Sequence, residues 1–266
     1  VYAEASNRAR LVDGLQRARD QGADLVVLPE LPLNPWSPAF EDARAEDAEP
    51  PDGARQEAMA QAARAAGVAL LGGVIMLEHG RRHNTAVLYD RQGTTVARYR
   101  KLHLPQEPGF WEANHYEPGD DPPRVVQLPG FEDVPLGLQL CSDVNRPEGS
   151  HLLGAQGAVA ILAPRATEAG TWERWKLVLR ANAMTSATWV LSVTRPRPEF
   201  EVPLGGPSVV IAPDGSVVAE TTEELCIADV TLETVAAARR DYPGYLAVRP
   251  DVYAAGWSAA ATLASR

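Results

Sequence analysis

Three polar residues stand where apolar runs end: Glu30 after DLVVLP, Lys101 after TVARYR and Cys141 after VPLGLQL. A thiol is a weak nucleophile at neutral pH until a base removes its proton. A carboxylate can be that base, and an ammonium group can hold the oxyanion formed when a carbonyl is attacked. Burial would raise the carboxylate's pKa toward the working range. Each residue alone has an ordinary reading: a solvated turn carboxylate, a surface lysine, a small core cysteine. Together they make a device for attacking a carbonyl carbon. Of the 25 Lys+Arg, only Lys101 and Lys176 are lysines. Chance and a position that arginine cannot fill are both open as explanations.

The elements that carry these residues follow from hydrophobic periodicity. Apolar runs alternate with helical patterns, as in α/β proteins. Residues 5–20 read as an amphipathic helix, DLVVLPE as a buried strand, residues 53–66 as an Ala-rich helix and VALLGGVIML as a strand. HNTAVLYD and TTVARYRK form a hairpin around Arg91-Gln92-Gly93. VPLGLQL is the strand before Cys141. Pro147-Glu148 opens a helix, because proline fits the first helical position and an acid suits its positive end. AVAILAP is a strand, 171–187 a helix, TWVLSVT a strand and SVVIA-PDG-SVVAE a second hairpin. LCIADV reads as a last strand, and the tail from 241 as an extended arm.

The order repeats. Gln21-Gly22-Ala23-Asp24-Leu25-Val26-Val27-Leu28-Pro29 resembles Gln156-Gly157-Ala158-Val159-Ala160-Ile161-Leu162-Ala163-Pro164. Each copy follows a helix and precedes another helix and strand, and each half closes with a Gly-turn hairpin. Self-similarity of this kind predicts one domain over 1–266 made of two similar halves, with 241–266 as a C-terminal arm. In the second half VPLGLQL precedes the helix that leads to QGA. Its counterpart in the first half would end near Val1, so a first β-strand is expected upstream; without it a sheet edge stays unpaired.

Composition narrows the function classes. With 45% hydrophobic residues in 266, the chain has ample apolar content for a packed core. A net charge of −10 without a basic tract argues against nucleic acid and anionic membranes as partners. No apolar run approaches the about 18 residues of a membrane span. Cys141 and Cys226 offer neither a metal-binding spacing nor a disulfide framework, so a reducing, cytoplasmic setting is expected, with no metal and no cofactor.

LPE with Glu30, YRKLHLP with Lys101 and LQLCSDVNRPE with Cys141 resemble the nitrilase, or carbon–nitrogen hydrolase, superfamily from the first helix to the second hairpin. KLHLPQEPGFWE followed by YEPGD is most similar to the carbamoylase and aliphatic-amidase branches. The resemblance implies a four-layer α-β-β-α sandwich and metal-free hydrolysis of a small linear amide or N-carbamoyl compound through a cysteine thioester. Glu30 would be the base and Cys141 the nucleophile. Lys101 and the backbone N–H of Ser142 would bind the oxyanion. Glu112 in GFWE matches a second glutamate that orients the lysine and assists water, and Glu107 is a solvated decoy. His103 fills a Lys-x-His pattern as a turn residue fixing the lysine loop. Asn84 fits a position that hydrogen-bonds active-site loops, and the pocket assignment also takes in Arg146 and Arg165. A homodimer or larger homo-oligomer is implied too.

Other residues read as framework or as departures from that pattern. Cys226 is a core residue, and Trp172, Trp175 and Leu179 form a packing stripe at helical spacing. The acidic, proline-rich segment 37–52 is a solvated loop that could rim the pocket. Aromatic residues common near the cysteine are absent in Ser142–Glu148, and Arg195-Pro196 stands where relatives commonly carry Asn. Arg146 could grip an acidic substrate through bidentate hydrogen bonds, or simply pair with Glu148 or solvent. Two other functions stay open: an inactive binding module of the same fold, and nitrile hydrolysis or acyl transfer through the same acyl-enzyme.

Overall fold

The computed structural model describes residues 5–264. Helix α1 (Ala5–Asp20) leads to strand β1 (Leu25–Val27), the short β2 (Ala48–Glu49), helix α2 (Ala54–Ala66) and strands β3 (Ala69–Glu78), β4 (Arg81–Tyr89) and β5 (Thr95–Arg100). Helix α3 (Glu112–His115) and strand β6 (Val126–Leu128) join this half to the next. The second half runs through β7 (Phe131–Leu138), α4 (Pro147–Ala155), β8 (Ala160–Leu162), α5 (Trp172–Ser186), β9 (Trp189–Ser192), β10 (Ser208–Ile211) and β11 (Val217–Thr221). Helices α6 (Leu232–Arg240) and α7 (Pro250–Ala264) follow.

The first sheet has the order β1-β3-β4-β5, with β2 added on β3; the second has the order β11-β10-β9-β8-β7-β6. In each half two parallel strands continue into an antiparallel hairpin. Strand β3 shows how the layers form, since successive side chains point to opposite faces. Leu70, Val74 and Met76 pack outward with Leu11, Leu15 and Met59 of α1 and α2. Ala69 and Leu71 pack inward with Leu136, Leu138 and Leu162 of the second sheet. Outside that sheet, Ile161, Val190 and Val209 meet Leu153 of α4 and Leu179 and Ala183 of α5. The result is the four-layer α-β-β-α sandwich that the family resemblance implies.

The repeat is visible in three dimensions: β1 corresponds to β8 and β3 to β9. Strand β8 lies between β7 and β9. Among the described residues, β1 pairs with β3 alone. Its open side borders a cavity of about 810 Å³ lined by α1, β1, the inner face of the second sheet and residues 221–230. That cavity marks the unpaired sheet edge rather than the chemistry described below.

Two expectations are corrected. Leu225–Val230 is no strand; Cys226, Ala228 and Val230 pack in alternation on the core between the sheets, but the backbone joins no ladder. Alternation gives a segment a buried side without giving it a neighbouring strand. The tail is not extended either, because Pro250–Ala264 is helical, with Val252, Tyr253 and Trp257 exposed. Helix α6, unforeseen in the sequence, is capped by the Thr231 hydroxyl accepting from Thr234 N–H. No described helix is long and apolar enough to cross a membrane.

Candidate active site

Glu30 follows β1, Lys101 follows β5 and Cys141 follows β7, and the sandwich brings these strand ends together. Glu30 and Glu112 are fully buried and Lys101 is 1% exposed. Lys101 Nζ donates to Glu30 Oε1 at 2.8 Å and to Glu112 Oε1 and Oε2 at 2.6 and 2.7 Å. Asn84, inside β4, donates from Nδ2 to the same Glu30 Oε1 at 2.8 Å. Glu30 Oε2 has no hydrogen-bond partner among the described residues. One carboxylate oxygen is therefore anchored, and the other is left to accept a proton.

Cys141 opens a short 3-10 turn, Cys141–Asn145, with a left-handed φ of 45°. That region is sterically costly for a side chain with a Cβ, and such strain gathers at functional sites. Cys141 N–H donates to Pro164 O at 2.9 Å and its Sγ lies 3.5 Å from Ala166 O. The turn puts the N–H of Ser142 in the first positions of a helical segment, where amides lack intrahelical acceptors. The Ser142 hydroxyl donates to His103 O. The oxyanion assignment therefore concerns the backbone of Ser142, since its side chain is engaged elsewhere.

Electrostatics in the cluster are strongly coupled. Burial pushes the Cys141 thiol well above its ordinary pKa, Glu30 adds to this, and Lys101 opposes it. For Lys101, burial disfavours the charge, but Glu112, Glu30 and Cys141 together hold its pKa well above the ordinary value. Glu112 is raised to about 7, first by burial and then by Glu30, against the pull of Lys101. Burial thus favours the neutral forms of Cys141 and Glu112, while the charge on Lys101 is held by its acidic neighbours.

Asp143 is a residue that sequence reasoning missed. Its Oδ1 accepts from Leu102 N–H at 3.2 Å, from His103 N–H at 2.9 Å, and faces His103 Nδ1 at 2.8 Å. Its Oδ2 accepts from Tyr99 OH at 2.8 Å and Leu140 N–H at 3.2 Å. One buried carboxylate thus ties the lysine loop to the cysteine turn. The only sequence signal was an acid two places after the cysteine. His103 itself stands beside the cluster, half exposed, and touches it through Asp143.

The pocket arginines separate. Arg146 is exposed and forms no ion pair among the described residues; its backbone N–H closes the 3-10 turn onto Asp143 O, and Pro147 then starts α4. Of the two readings of Arg146, its exposure matches the one in which it faces solvent. Arg165 is 1% exposed. It donates from Nη1 to Ser192 O and Oγ and from Nη2 to Pro207 O, and it lies over the Trp172 ring. Burial lowers its pKa to about 10, opposed by Cys141. Glu107 is exposed and Glu112 buried. Segment 37–52 packs on the loop of Glu112, with Trp111 N–H donating to Pro38 O at 2.9 Å. Among the described residues no cluster of His, Cys, Asp and Glu is arranged to hold a metal ion.

Two similar mixed-sheet halves with a buried thiol, a lysine and two carboxylates gathered at their strand ends are the arrangement of a thiol-dependent carbon–nitrogen hydrolase. The chain belongs to the carbon–nitrogen hydrolase family, whose model matches residues 1–240. It is similar to an omega-amidase of Xenopus tropicalis, 30% identical, with 95% of this chain and 92% of the relative covered. It is also similar to a Pseudomonas protegens hydrolase, 33% identical over 81% of this chain and 73% of that protein. Among solved structures, an amidase from Nesterenkonia sp. is 28% identical with a TM-score of 0.70, covering 81% of this chain and 80% of that one. A carbon–nitrogen hydrolase from Helicobacter pylori, 22% identical with a TM-score of 0.80 over 93% and 90% of the chains, shares the fold.

Proposed function

We propose that this protein hydrolyses a small linear amide through a thioester on Cys141. Glu30 Oε2 takes the thiol proton as Sγ attacks the carbonyl carbon. The oxyanion is met by Lys101 Nζ and the N–H of Ser142. As the C–N bond breaks, Glu30 returns the proton to the departing ammonia or amine. Water then gives a proton to Glu30 as its oxygen attacks the thioester. The C–S bond breaks, the acid leaves, and the thiolate regains the proton. Glu112 holds Lys101 toward the oxyanion and helps orient the water.

The observation that carries this reading is the buried Lys101, bound by both carboxylates, electrostatically coupled to Cys141. A structural cation has no need of a strained cysteine beside it. The amide class draws support from the relatives, an omega-amidase and an amidase among them. In a mutant of the Nesterenkonia amidase the acetamide moiety of fluoroacetamide is covalently added at the active site cysteine, which shows that cysteine to be nucleophilic there. Carbamoyl compounds fit the same chemistry, since they present the same carbonyl next to nitrogen. A thiol nucleophile suits a reducing, cytoplasmic setting. The exposed Tyr253 and Trp257 of α7 suit burial against a second copy of the chain.

The test is ammonia release from a panel of amides, carbamoyl compounds and nitriles, with Cys141→Ala as control and the acyl-enzyme trapped by mass spectrometry. Turnover with an acyl mass on Cys141 is the expected result. Turnover that survives Cys141→Ala would overturn the reading. Sedimentation of the full chain beside one ending at residue 249 reads the oligomer; equal association states would exclude α7 from it.

A further inference from the structure

We propose that Arg195, held by Glu199, is a positioning residue that aims the base Glu30. The inference rests on the assignment of Glu30 given above. Arg195 and Glu199 lie in the second half, past β9, and Glu30 in the first. Arg195 is 3% exposed. Its Nη1 donates to Glu30 O at 2.9 Å and Leu31 O at 2.8 Å, and its Nη2 to Asn34 O at 2.9 Å. Nε and Nη2 both donate to Glu199 Oε1, at 2.9 and 2.6 Å. Glu199 Oε2 accepts from Trp36 N–H at 3.0 Å.

The carbonyls explain why a cation is needed there. Leu31 has a left-handed φ of 49°, which is unfavourable for a branched side chain without glycine's freedom. The turn makes three carbonyl oxygens converge, and their partial negative charges repel one another. A planar guanidinium with five donors can satisfy all three and a carboxylate at once. An ammonium has three donors and no fork. The direction in which the Glu30 side chain leaves the backbone is set by this turn, so the arginine acts on the base from behind.

The same contacts extend to the second glutamate. Arg195 lies over the Trp36 ring, whose Nε1 donates to Gly109 O at 2.8 Å. Trp36 packs edge-on against Phe110 with centroids 5.6 Å apart, and Phe110 precedes Trp111 and Glu112. One buried ion pair in the second half therefore holds both loops that deliver carboxylates to Lys101. The position read in sequence as a departure from the family pattern is a strut behind the base.

The experiment separates positioning from stability. Arg195→Lys is expected to lower kcat about 10- to 100-fold, as a misplacement near 1 Å can, with KM changing less than about threefold. Arg195→Met/Glu199→Met removes the buried pair without leaving one charge unpaired, the costliest outcome. Tm near wild type with kcat still at least about tenfold down supports positioning; kcat that recovers with Tm overturns it. Should the double variant fail to fold, Glu199→Gln decides. A folded Glu199→Gln with kcat reduced at constant KM supports the proposal, and unchanged kcat removes it. Cys141→Ala is run alongside. Turnover there would sink the assignment of the site itself, a different failure from an insensitive Arg195.

Discussion

Strands β1 and β8 hold equivalent places in the two halves, and both end in a buried charge after a proline: Glu30 after Pro29, Arg165 after Pro164. The two are equally hidden, at 0% and 1% exposure. Glu30 is met by an ammonium and an amide at 2.8 Å each. Arg165 is met by carbonyls, a hydroxyl and an aromatic face, with no carboxylate paired to it among the described residues. The repeated frame supplies an address, the carboxyl ends of parallel strands, where ligands gather in α/β folds. It does not supply the chemistry. One half has a buried carboxylate there and the other a buried cation that interacts electrostatically with Cys141, so the repeated frame yields one asymmetric site.

The asymmetry can be broken from either side. Glu30→Gln keeps the shape and the contact to Lys101 but removes the proton acceptor. We expect kcat to fall about 10³-fold, within the range for loss of general-base catalysis. Arg165→Gln, at the equivalent position, is expected to lower kcat only about tenfold, because its role is electrostatic and shared with Lys101. Parallel steady-state assays check this; equal losses would make the two strand ends functionally alike. Between the two in size is Lys101→Arg, for which we expect about a 10²-fold loss in kcat. Three oxygens lie 2.6–2.8 Å from a single Nζ, and a planar guanidinium cannot stand at the centre of that arrangement.

The pH profile probes how the first half stores its charge. Burial raises Glu112 from an ordinary 4.5 to about 7. A raised folded pKa means that the folded protein keeps a proton the unfolded chain has released. This group therefore favours folding below pH 4.5, and its contribution is lost as pH rises through about 7. Ionised Glu112 is the form that holds Lys101, so kcat/KM should rise with pH through an apparent pKa near 7 that belongs to the cluster. In Glu112→Gln that limb should vanish and kcat/KM fall several-fold. A limb unchanged in the variant would assign the titration elsewhere.

What was legible in the sequence was what local pattern encodes. Glu30, Lys101 and Cys141 showed themselves as polar residues closing apolar runs, and the halves showed themselves in the QGA repeats. Arg195 and Asp143 did not, because their roles are contacts between segments far apart in the chain. Arg195 meets carbonyls at Glu30, Leu31 and Asn34, and nothing at 195 announces them. Leu225–Val230 failed for a related reason. Its alternation is real and buries Cys226 and Val230 on the core, yet ladder pairing depends on a neighbour that no local pattern records. Arg146 stayed open in the sequence, because an arginine near a nucleophile reads the same whether it meets substrate or solvent.

The smallest expected effect bears on the frame itself. Leu28 N–H donates to Leu71 O, and Asp24 O accepts from Ala69 N–H. Even-numbered residues of this stretch thus face β3, and strand alternation turns the N–H groups of Leu25 and Val27 to the open side. In β8 both edges are used: Ala163 N–H donates to Leu191 O on one side, and Leu162 O accepts from Gln139 N–H on the other. Side-chain burial follows the same division, partial at all three positions of β1 and complete at all three of β8. Local opening energies scale with such pairing and burial. Amide hydrogen exchange of the chain of 266 residues should therefore show Leu25 and Val27 exchanging at least about tenfold faster than Ala160 and Leu162, their counterparts in β8. Added in trans, an apolar peptide able to form a strand beside β1 should slow Leu25 and Val27 and leave Ala160 and Leu162 unchanged. Equal protection in β1 and β8 without any addition would show that the edge is already covered in solution, and would erase the difference between the halves at the level of the backbone.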